Sequence, residues 1–179
     1  MIQYSDCGVV WYAMKTIYKK ELQAKKYLDA LSIPNFVPMQ QVVSKKGGRK
    51  TIVLKPAVHN LIFVKTDLAQ LKEIKNNLKY LYNRLTTEDN LTTPIIVPTV
   101  QMDQFIDAIT NHLQDIAYVD LTTEALEKGT PVRITDGKFK GYTGVLERVK
   151  GKRDRRVYVN IQGIAAYRFE VEASAIEKL

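Results

Sequence analysis

Apolar and polar positions along the chain change period several times, and each change marks an element. Residues 9–17 (Val-Val-Trp-Tyr-Ala-Met-Lys-Thr-Ile) are rich in β-branched and aromatic side chains and predict a largely buried strand. Across residues 19–31 the apolar positions Ala24, Tyr27, Leu28 and Leu31 take the i, i+3, i+4, i+7 spacing of an amphipathic helix, with Lys19, Lys20, Lys25 and Lys26 on its other faces and Pro34 closing it. Residues 36–43 and 51–54 predict two strands joined across a basic turn, where Gly47 and Gly48 supply the positive φ angles of a hairpin. Leu61, Ile62, Phe63 and Val64 form a short apolar strand. A second helix is predicted over residues 67–77, with Leu68, Leu71, Ile74 and Leu78 as its stripe and Thr66 as N-cap. Residues 81–85 and 94–97 predict strands around a polar turn. Thr99 then caps a third helix whose stripe is Met102, Phe105, Ile106, Ile109 and Leu113.

Beyond that helix no long period persists, so residues 111–128 read as a linker. After Gly129 the pattern becomes all-β, with short strands at 132–134, 143–149, 157–161, 167–171 and 175–176. In the fourth of these Tyr167, Phe169 and Val171 alternate with Arg168 and Glu170, the period of a half-buried strand. Five short strands in so few residues predict a small barrel, because closure hides edges that a tiny sheet would leave open. The expected fold is α+β: an N-terminal α/β sandwich with a mixed or antiparallel sheet and three helices (1–110), the linker, and a small β-barrel (129–179).

Composition narrows the function. The 179 residues are 45% hydrophobic, enough for a core, and Cys7 is the single cysteine, which excludes an internal disulfide framework and fits a reducing compartment. No apolar run is long enough to span a bilayer and the N-terminus has no secretory pattern, so a cytoplasmic monomer without membrane contact is expected. No nucleophile is paired with a base at recognisable spacing; the expectation is no enzyme, no cofactor and no metal. Lys and Arg number 27 against 19 Asp and Glu, a net charge of +8, which suggests a polyanionic partner. The charge is clumped. Lys45, Lys46, Arg49 and Lys50 flank the Gly-Gly turn, and Arg148, Lys150, Lys152, Arg153, Arg155 and Arg156 flank Gly151.

Three segments of the first domain then resemble a known family: Trp11-Tyr12 on the first strand, Phe36-Val37-Pro38 ahead of the basic hairpin, and Leu61-Ile62-Phe63-Val64. They are similar to the N-terminal domain of NusG-type transcription elongation factors. The segment from Gly129 to Leu146, with Asp136-Gly137, Gly141 and Gly144, is similar to the KOW motif of the same family, which implies an SH3-like barrel. The Trp11-Tyr12-Ala13-Met14-Lys15 start and the stretch from Val58 to Val64 look more like the specialised UpxY-type antiterminators of capsular polysaccharide operons.

The resemblance implies function. It implies RNA polymerase as partner, held on a surface built from Trp11, Tyr12, Val58, His59, Asn60 and Leu61. Of Trp11 and Tyr12, adjacent on a strand, one is expected to point inward and the other outward. The family usually has Pro-Gly-Tyr where this chain has His59-Asn60-Leu61. Lys19 and Lys20 align with positions that face the non-template DNA strand in specialised relatives, and Tyr18 beside them is suited to stack on an unpaired base. The hairpin residues Lys45, Lys46, Arg49 and Lys50 are expected near that DNA or the nascent RNA. Phe139, Tyr142 and Ile164 are the candidates for an apolar barrel surface that recruits a ribosomal protein or a termination factor, with Ile164 in an apolar loop, Gly163-Ile164-Ala165-Ala166. The KOW glycines read as structural. The other reading of the same residues is a KOW-containing RNA-binding or ribosome-associated protein.

Overall fold

In a computed structural model of the chain, which describes residues 8–88, 91–119, 129–147, 155–161 and 163–179, the aromatic first strand is β1 (Val10–Thr16), the middle of an antiparallel sheet. After it come α1 (Glu21–Ala30), β2 (Asn35–Phe36), β3 (Met39–Lys46), β4 (Arg49–Pro56), β5 (Leu61–Thr66), α2 (Leu68–Asn77), β6 (Leu81–Asn83), β7 (Leu85–Glu88), β8 (Leu91–Pro94), β9 (Ile96–Val97) and α3 (Thr99–Asn111). The chain divides into two compact units, Met1–Asp103 and Gln104–Leu179.

In the first unit the sheet order is β2-β5-β1-β6, and every pairing is antiparallel. β6 and β9 share one edge of β1, opposite Met14–Thr16 and Trp11–Tyr12 respectively. Between them Ala13 accepts from Arg84 N at 2.9 Å and donates to the Ile95 carbonyl at 3.0 Å, so β7 and β8 form a hairpin looped out of an otherwise continuous edge. β3 and β4 form a separate two-stranded ribbon, paired with no other strand among the described residues.

Alternation along the strands builds two buried faces. Tyr12, Met14, Ile62 and Val64 pack with Ala24 and Leu28 of α1, with Leu71 and Ile74 of α2 and with Leu78, the residue that caps its C-terminus. Trp11, Ala13, Leu61 and Phe63, on the other side of the same strands, are buried as well. Leu31 does not join the core. α1 stops at Ala30, and Leu31 is exposed at its C-terminal end. Thr66 is not the cap of α2, because β5 runs through it. Asp67 takes that role, accepting from Gln70 N at 2.8 Å, while the buried Thr66 hydroxyl donates to Gln70 Oε1. In α3, Thr99 is already helical: the Pro98 carbonyl opens the ladder by accepting from Met102 N at 3.0 Å.

The second unit starts within α3 at Gln104. It contains β10 (Ile116–Val119), β11 (Thr130–Ile134), β12 (Thr143–Glu147), β13 (Arg155–Ile161), β14 (Ala165–Val171) and, after a short 3₁₀ turn, β15 (Ile176–Lys178). These form a six-stranded antiparallel barrel-type sheet in the order β10-β14-β13-β12-β11-β15. β10 lies in the stretch expected to be a linker. It is only four residues long, too short to show a period, and it is a strand because it pairs with Ala166–Phe169 of β14. Residues 120–128 of that stretch lie outside the described residues.

Tyr167 and Phe169 of β14 are buried while Glu170 is exposed, in keeping with the alternation in the sequence. The Ile164-Ala165-Ala166 stretch is not an apolar loop. Ile164 N bonds the Ile161 carbonyl at 2.9 Å in a tight turn, Ala165 begins β14, and all three residues are buried. Gly144 is demanded by packing, since a Cβ there would lie 2.6 Å from Val157 Cγ1 and 2.7 Å from the Tyr158 carbonyl. Gly141 is demanded by conformation, with φ at +90°. No helix among the described residues is long and apolar enough to cross a membrane.

Candidate functional site

The connection from β1 to α1 turns through two non-glycine residues with left-handed backbone, Tyr18 at φ 57° and Lys19 at φ 54°. That conformation costs an ordinary residue about 1–2 kcal/mol, so it persists only where neighbouring structure over-determines it. A second turn supplies the restraint. Asn60, itself at φ 58°, accepts from Lys19 N through Oδ1 at 2.8 Å and from Thr16 N through its carbonyl at 3.2 Å. Ile17 N bonds the Tyr80 carbonyl at 3.2 Å. Asparagine tolerates this backbone region better than most residues, which suits it to the position.

Behind the turn, Glu21 opens α1 and is only 1% exposed. It accepts from the Thr16 hydroxyl at 3.3 Å and lies 3.7 Å from His59 Nδ1. A negative side chain in the first helical turn also complements the helix dipole, offsetting the adjacent lysines. The outcome is a braced turn that displays Tyr18 at 82% exposure with Lys19 exposed beside it, while Lys20 Nζ sits 4.7 Å above the Tyr80 ring. Burial raises the Tyr80 phenol above its ordinary range.

The residues expected to hold polymerase therefore separate into two layers. His59 is exposed and Val58 and Asn60 are half-buried, whereas Trp11, Tyr12 and Leu61 lie beneath the surface. Neither Trp11 nor Tyr12 points out to solvent, because both faces of the sheet are packed. The Trp11 indole Nε1 is buried without a partner among the described residues, and Lys65 Nζ lies 5.9 Å from its ring centroid. The His59–Asn60 turn and the Tyr18–Lys19 turn are brought together. Lys45, Arg49 and Lys50 are exposed on the separate β3–β4 ribbon, and the Lys46 side chain lies outside the described set. Arg148, Lys150, Lys152 and Arg153 also lie outside it; Arg156 pairs with Glu170 at 3.2 Å.

Phe139, Tyr142 and Ile164 are all buried. Phe139 and Tyr142 are covered by the beginning of their own unit. Gln104 bonds the Thr143 backbone in both directions, from Nε2 to the carbonyl at 2.8 Å and from Thr143 N to Oε1 at 3.1 Å. Phe105 stacks on Tyr167 at 5.6 Å between centroids, and His112 lies 5.0 Å from Phe139. The Tyr142 hydroxyl donates to the Asp107 carboxylate, which also accepts from Asn111 Nδ2 at 2.6 Å. Those two hydrogen bonds hold the Asp107 carboxyl below its ordinary value of 3.8. Burial, and then the Asp107 carboxylate, push the Tyr142 phenol far above its own. Sequence reasoning missed Gln104, Asp107 and Glu21 as structural ties. Glu21 carried one signal, an acidic residue just after Lys19-Lys20 at a helix start; the other two carried none. Among the described residues no group of three or more His, Cys, Asp or Glu is gathered to hold a metal ion.

A helix-backed antiparallel sheet followed by a small barrel, in two compact units, defines an α+β protein whose exposed features are turns and a ribbon. Comparison with known proteins gives the family: residues 9–106 match the family described as transcription termination factor NusG, and the chain belongs to it. It is 35% identical over 82 residues to the transcription termination/antitermination protein NusG of Escherichia coli K12, and equally to those of Salmonella typhi and Yersinia pestis. The alignment takes in 45% of this chain and 45% of each relative, so the chain spans about half the length of the curated relatives it matches. Among solved structures, NusG of Thermotoga maritima is 16% identical with a TM-score of 0.49, covering 98% of this chain and 99% of that one. An MjSpt4:Spt5 complex chain is 12% identical with a TM-score of 0.28, covering 94% and 96%.

Two outcomes follow from the hydrogen bonds. Asn60→Ala loses both the bond to Lys19 N and an easy left-handed backbone and should destabilise the chain by about 1.5–2.5 kcal/mol, whereas Asn60→Gly keeps the backbone and should lose only about 0.5–1 kcal/mol. Denaturant titration of both variants is the check, and equal losses would mean that the clasp carries no strain. For Asp107, a lowered folded pKa means stability that is present above 3.8 and lost as pH falls through the folded value. Asp107→Asn should therefore melt below the wild type at pH 7, with the gap narrowing below pH 3.8; a gap independent of pH would contradict it.

Proposed function

We propose that this chain is a transcription elongation and antitermination factor, operon-specific and of the capsular polysaccharide type, that binds RNA polymerase through its N-terminal domain and suppresses pausing or termination. The observation that carries the reading is the clasp between the Tyr18–Lys19 turn and the His59–Asn60 turn. It brings His59 and Asn60, which resemblance assigns to polymerase, beside Tyr18 and Lys19, which the same reading gives to nucleic acid. Val58, His59 and Asn60 make the polymerase contact, and the buried Trp11, Tyr12 and Leu61 hold that turn rigid from below. A small pre-ordered contact loses little side-chain freedom on binding, so a few residues can carry most of the affinity.

In this reading Tyr18 stacks on an unpaired base of the non-template strand or nascent RNA, with Lys19 and Lys20 near its phosphates and Lys45, Lys46, Arg49 and Lys50 on a second nucleic-acid contact. The barrel, residues 129–179, recruits a ribosomal protein or a termination factor through the region of Phe139, Tyr142 and Ile164, which requires residues 104–112 to move aside. No chemistry is needed: the factor shifts polymerase toward its pause-resistant conformation by binding that state better.

The test is transcription by purified polymerase on a long operon leader containing a terminator. The chain should raise read-through several-fold, and Tyr18→Ala combined with Lys19→Ala and Lys20→Ala should remove most of the gain while leaving the unfolding midpoint within a few degrees. Unchanged read-through with the wild-type chain, together with co-sedimentation on ribosomes in the absence of polymerase, would replace this reading with a ribosome-associated one.

A further inference from the structure

One face of the central sheet carries three cations and nothing negative to meet them. Trp11, Ala13 and Lys15 alternate on the side of β1 turned away from α1 and α2, and the register places Lys65 of β5 opposite Trp11. On the other edge Tyr82 lies opposite Lys15 and Val97 opposite Trp11. Between them Arg84 donates its backbone N–H to the Ala13 carbonyl at 2.9 Å, and its own carbonyl accepts from Ile95 N at 2.9 Å. Leu81 belongs to the helix-side core, so the alternation through Tyr82 and Asn83 puts Arg84 on the face of Trp11 and Ala13. The strands β1, β2, β5, β6 and β9 of this sheet contain no Asp or Glu. Among the described residues Lys15, Lys65 and Arg84 form no ion pair.

Arg84 is the member that folding does not explain. It is half-buried, its Nε is shut off from water without a hydrogen-bond acceptor, and burial alone lowers its pKa, with no carboxylate acting on it. A guanidinium does not give up its charge in a protein, so the cost of taking it out of water stands uncompensated in the free chain. Trp11, in the neighbouring strand on the same face, is 5% exposed and its indole Nε1 is a second buried donor without an acceptor. Lys65 Nζ lies 5.9 Å from the centroid of that ring. Unsatisfied buried donors are rare in folded proteins, and two on one face call for an acceptor. A water molecule would supply hydrogen bonds but leave the charge unmatched. A carboxylate supplies both, and its plane matches the guanidinium fork. A phosphate within a polynucleotide fits less well: it runs along rows of exposed cations, whereas here only Lys15 is exposed and Arg84 and Lys65 lie deeper, beside an aromatic ring. A short acidic side chain can reach down past the rim, and a sugar-phosphate backbone cannot.

We propose that Arg84, with Trp11 beside it, is the receptor for a single carboxylate, an Asp or Glu side chain that polymerase presents to this face of the sheet. Trp11 and Leu61, which resemblance assigns to the polymerase surface, stand on the same face, so the site is continuous with that surface and gives it a charge-specific anchor. The partner's identity rests on the reading proposed above; the carboxylate chemistry does not.

The experiment has two arms, both on the full chain. Trp11 is the one tryptophan of the sequence, so its selectively excited fluorescence reports on the site. Propionate, the neutral propionamide and inorganic phosphate are titrated at constant ionic strength. Propionate should shift the emission saturably, propionamide should not, and phosphate should act at least ten-fold more weakly. Arg84→Gln should abolish the response, and Arg84→Lys, which keeps the charge but not the fork, should weaken it several-fold; the lysine variant keeps the proposal testable should the glutamine variant fail to fold. In the second arm Arg84→Met keeps an apolar stem and removes the unpaired charge. Its unfolding midpoint should equal or exceed that of the wild type, because an unsatisfied buried group replaced by an apolar one is neutral or stabilising, while its affinity for purified polymerase falls more than ten-fold. A midpoint lowered by several degrees would make Arg84 a structural tie and overturn the proposal. So would propionate without effect on the wild type, an undiminished response in Arg84→Gln, or phosphate binding as tightly as propionate. A wild type that answers propionate but does not bind polymerase overturns the partner and the reading above while the carboxylate site stands. Polymerase binding undiminished in Arg84→Met overturns this site and leaves that reading standing.

Discussion

The central strand β1 is committed on every side, and the rest of the first unit follows from that constraint. β5 occupies one edge, β6 and β9 share the other, Tyr12 and Met14 face the helices, and Trp11 and Ala13 are buried on the opposite side. A strand with no free edge and no free face cannot shift register, since a slip of one residue would exchange its two buried sets. Its C-terminal end at Thr16 is therefore fixed, and so is the start of α1 at Glu21. The few residues between them must turn within that gap, and they do so through left-handed Tyr18 and Lys19. The penalty, about 1–2 kcal/mol for each residue, is offset by the hydrogen bonds from Thr16, Ile17 and Lys19 to Asn60 and Tyr80. Core packing in this way determines the conformation of an exposed turn.

What could be read from the sequence was whatever depends on neighbours along the chain. The stripe Ala24, Leu28 and the alternation Tyr167, Phe169 report burial directly, and Gly47-Gly48 reports a turn with positive φ angles. Gly144 follows the same logic: its role as a close-approach residue is visible in its type. Tyr18 and Lys19 carry no such mark, because their backbone is held by Asn60, some forty residues away. Burial of both Trp11 and Tyr12 was not legible either. Alternation says that two adjacent residues face opposite ways, but not whether each side of a sheet is covered. The stripe of α3 shows an apolar face; that Gln104, Phe105 and Asp107 spend it on the barrel's aromatic cluster depends on partners near Tyr142 and Tyr167.

The net charge of +8 reads differently once its carriers are placed. Lys19 and Lys20 belong to a braced turn with an exposed tyrosine, while Lys45, Arg49, Lys50 and Lys55 belong to a slender ribbon with an aliphatic face and no aromatic. The first pairing of residue types has the chemistry that suits an unpaired base, which the second lacks.

Tyr18 owes its exposure to the clasped turn, and its neighbour in the elongation complex is the decisive contact. Replacing it with the photoreactive p-benzoylphenylalanine in the full chain and irradiating an elongation complex on a leader template reads its neighbour directly. A covalent adduct to the non-template strand or the nascent RNA, weakened when Asn60→Gly loosens the clasp, is the predicted result. An adduct confined to polymerase, or none at all in a complex that still shows enhanced read-through, would contradict it.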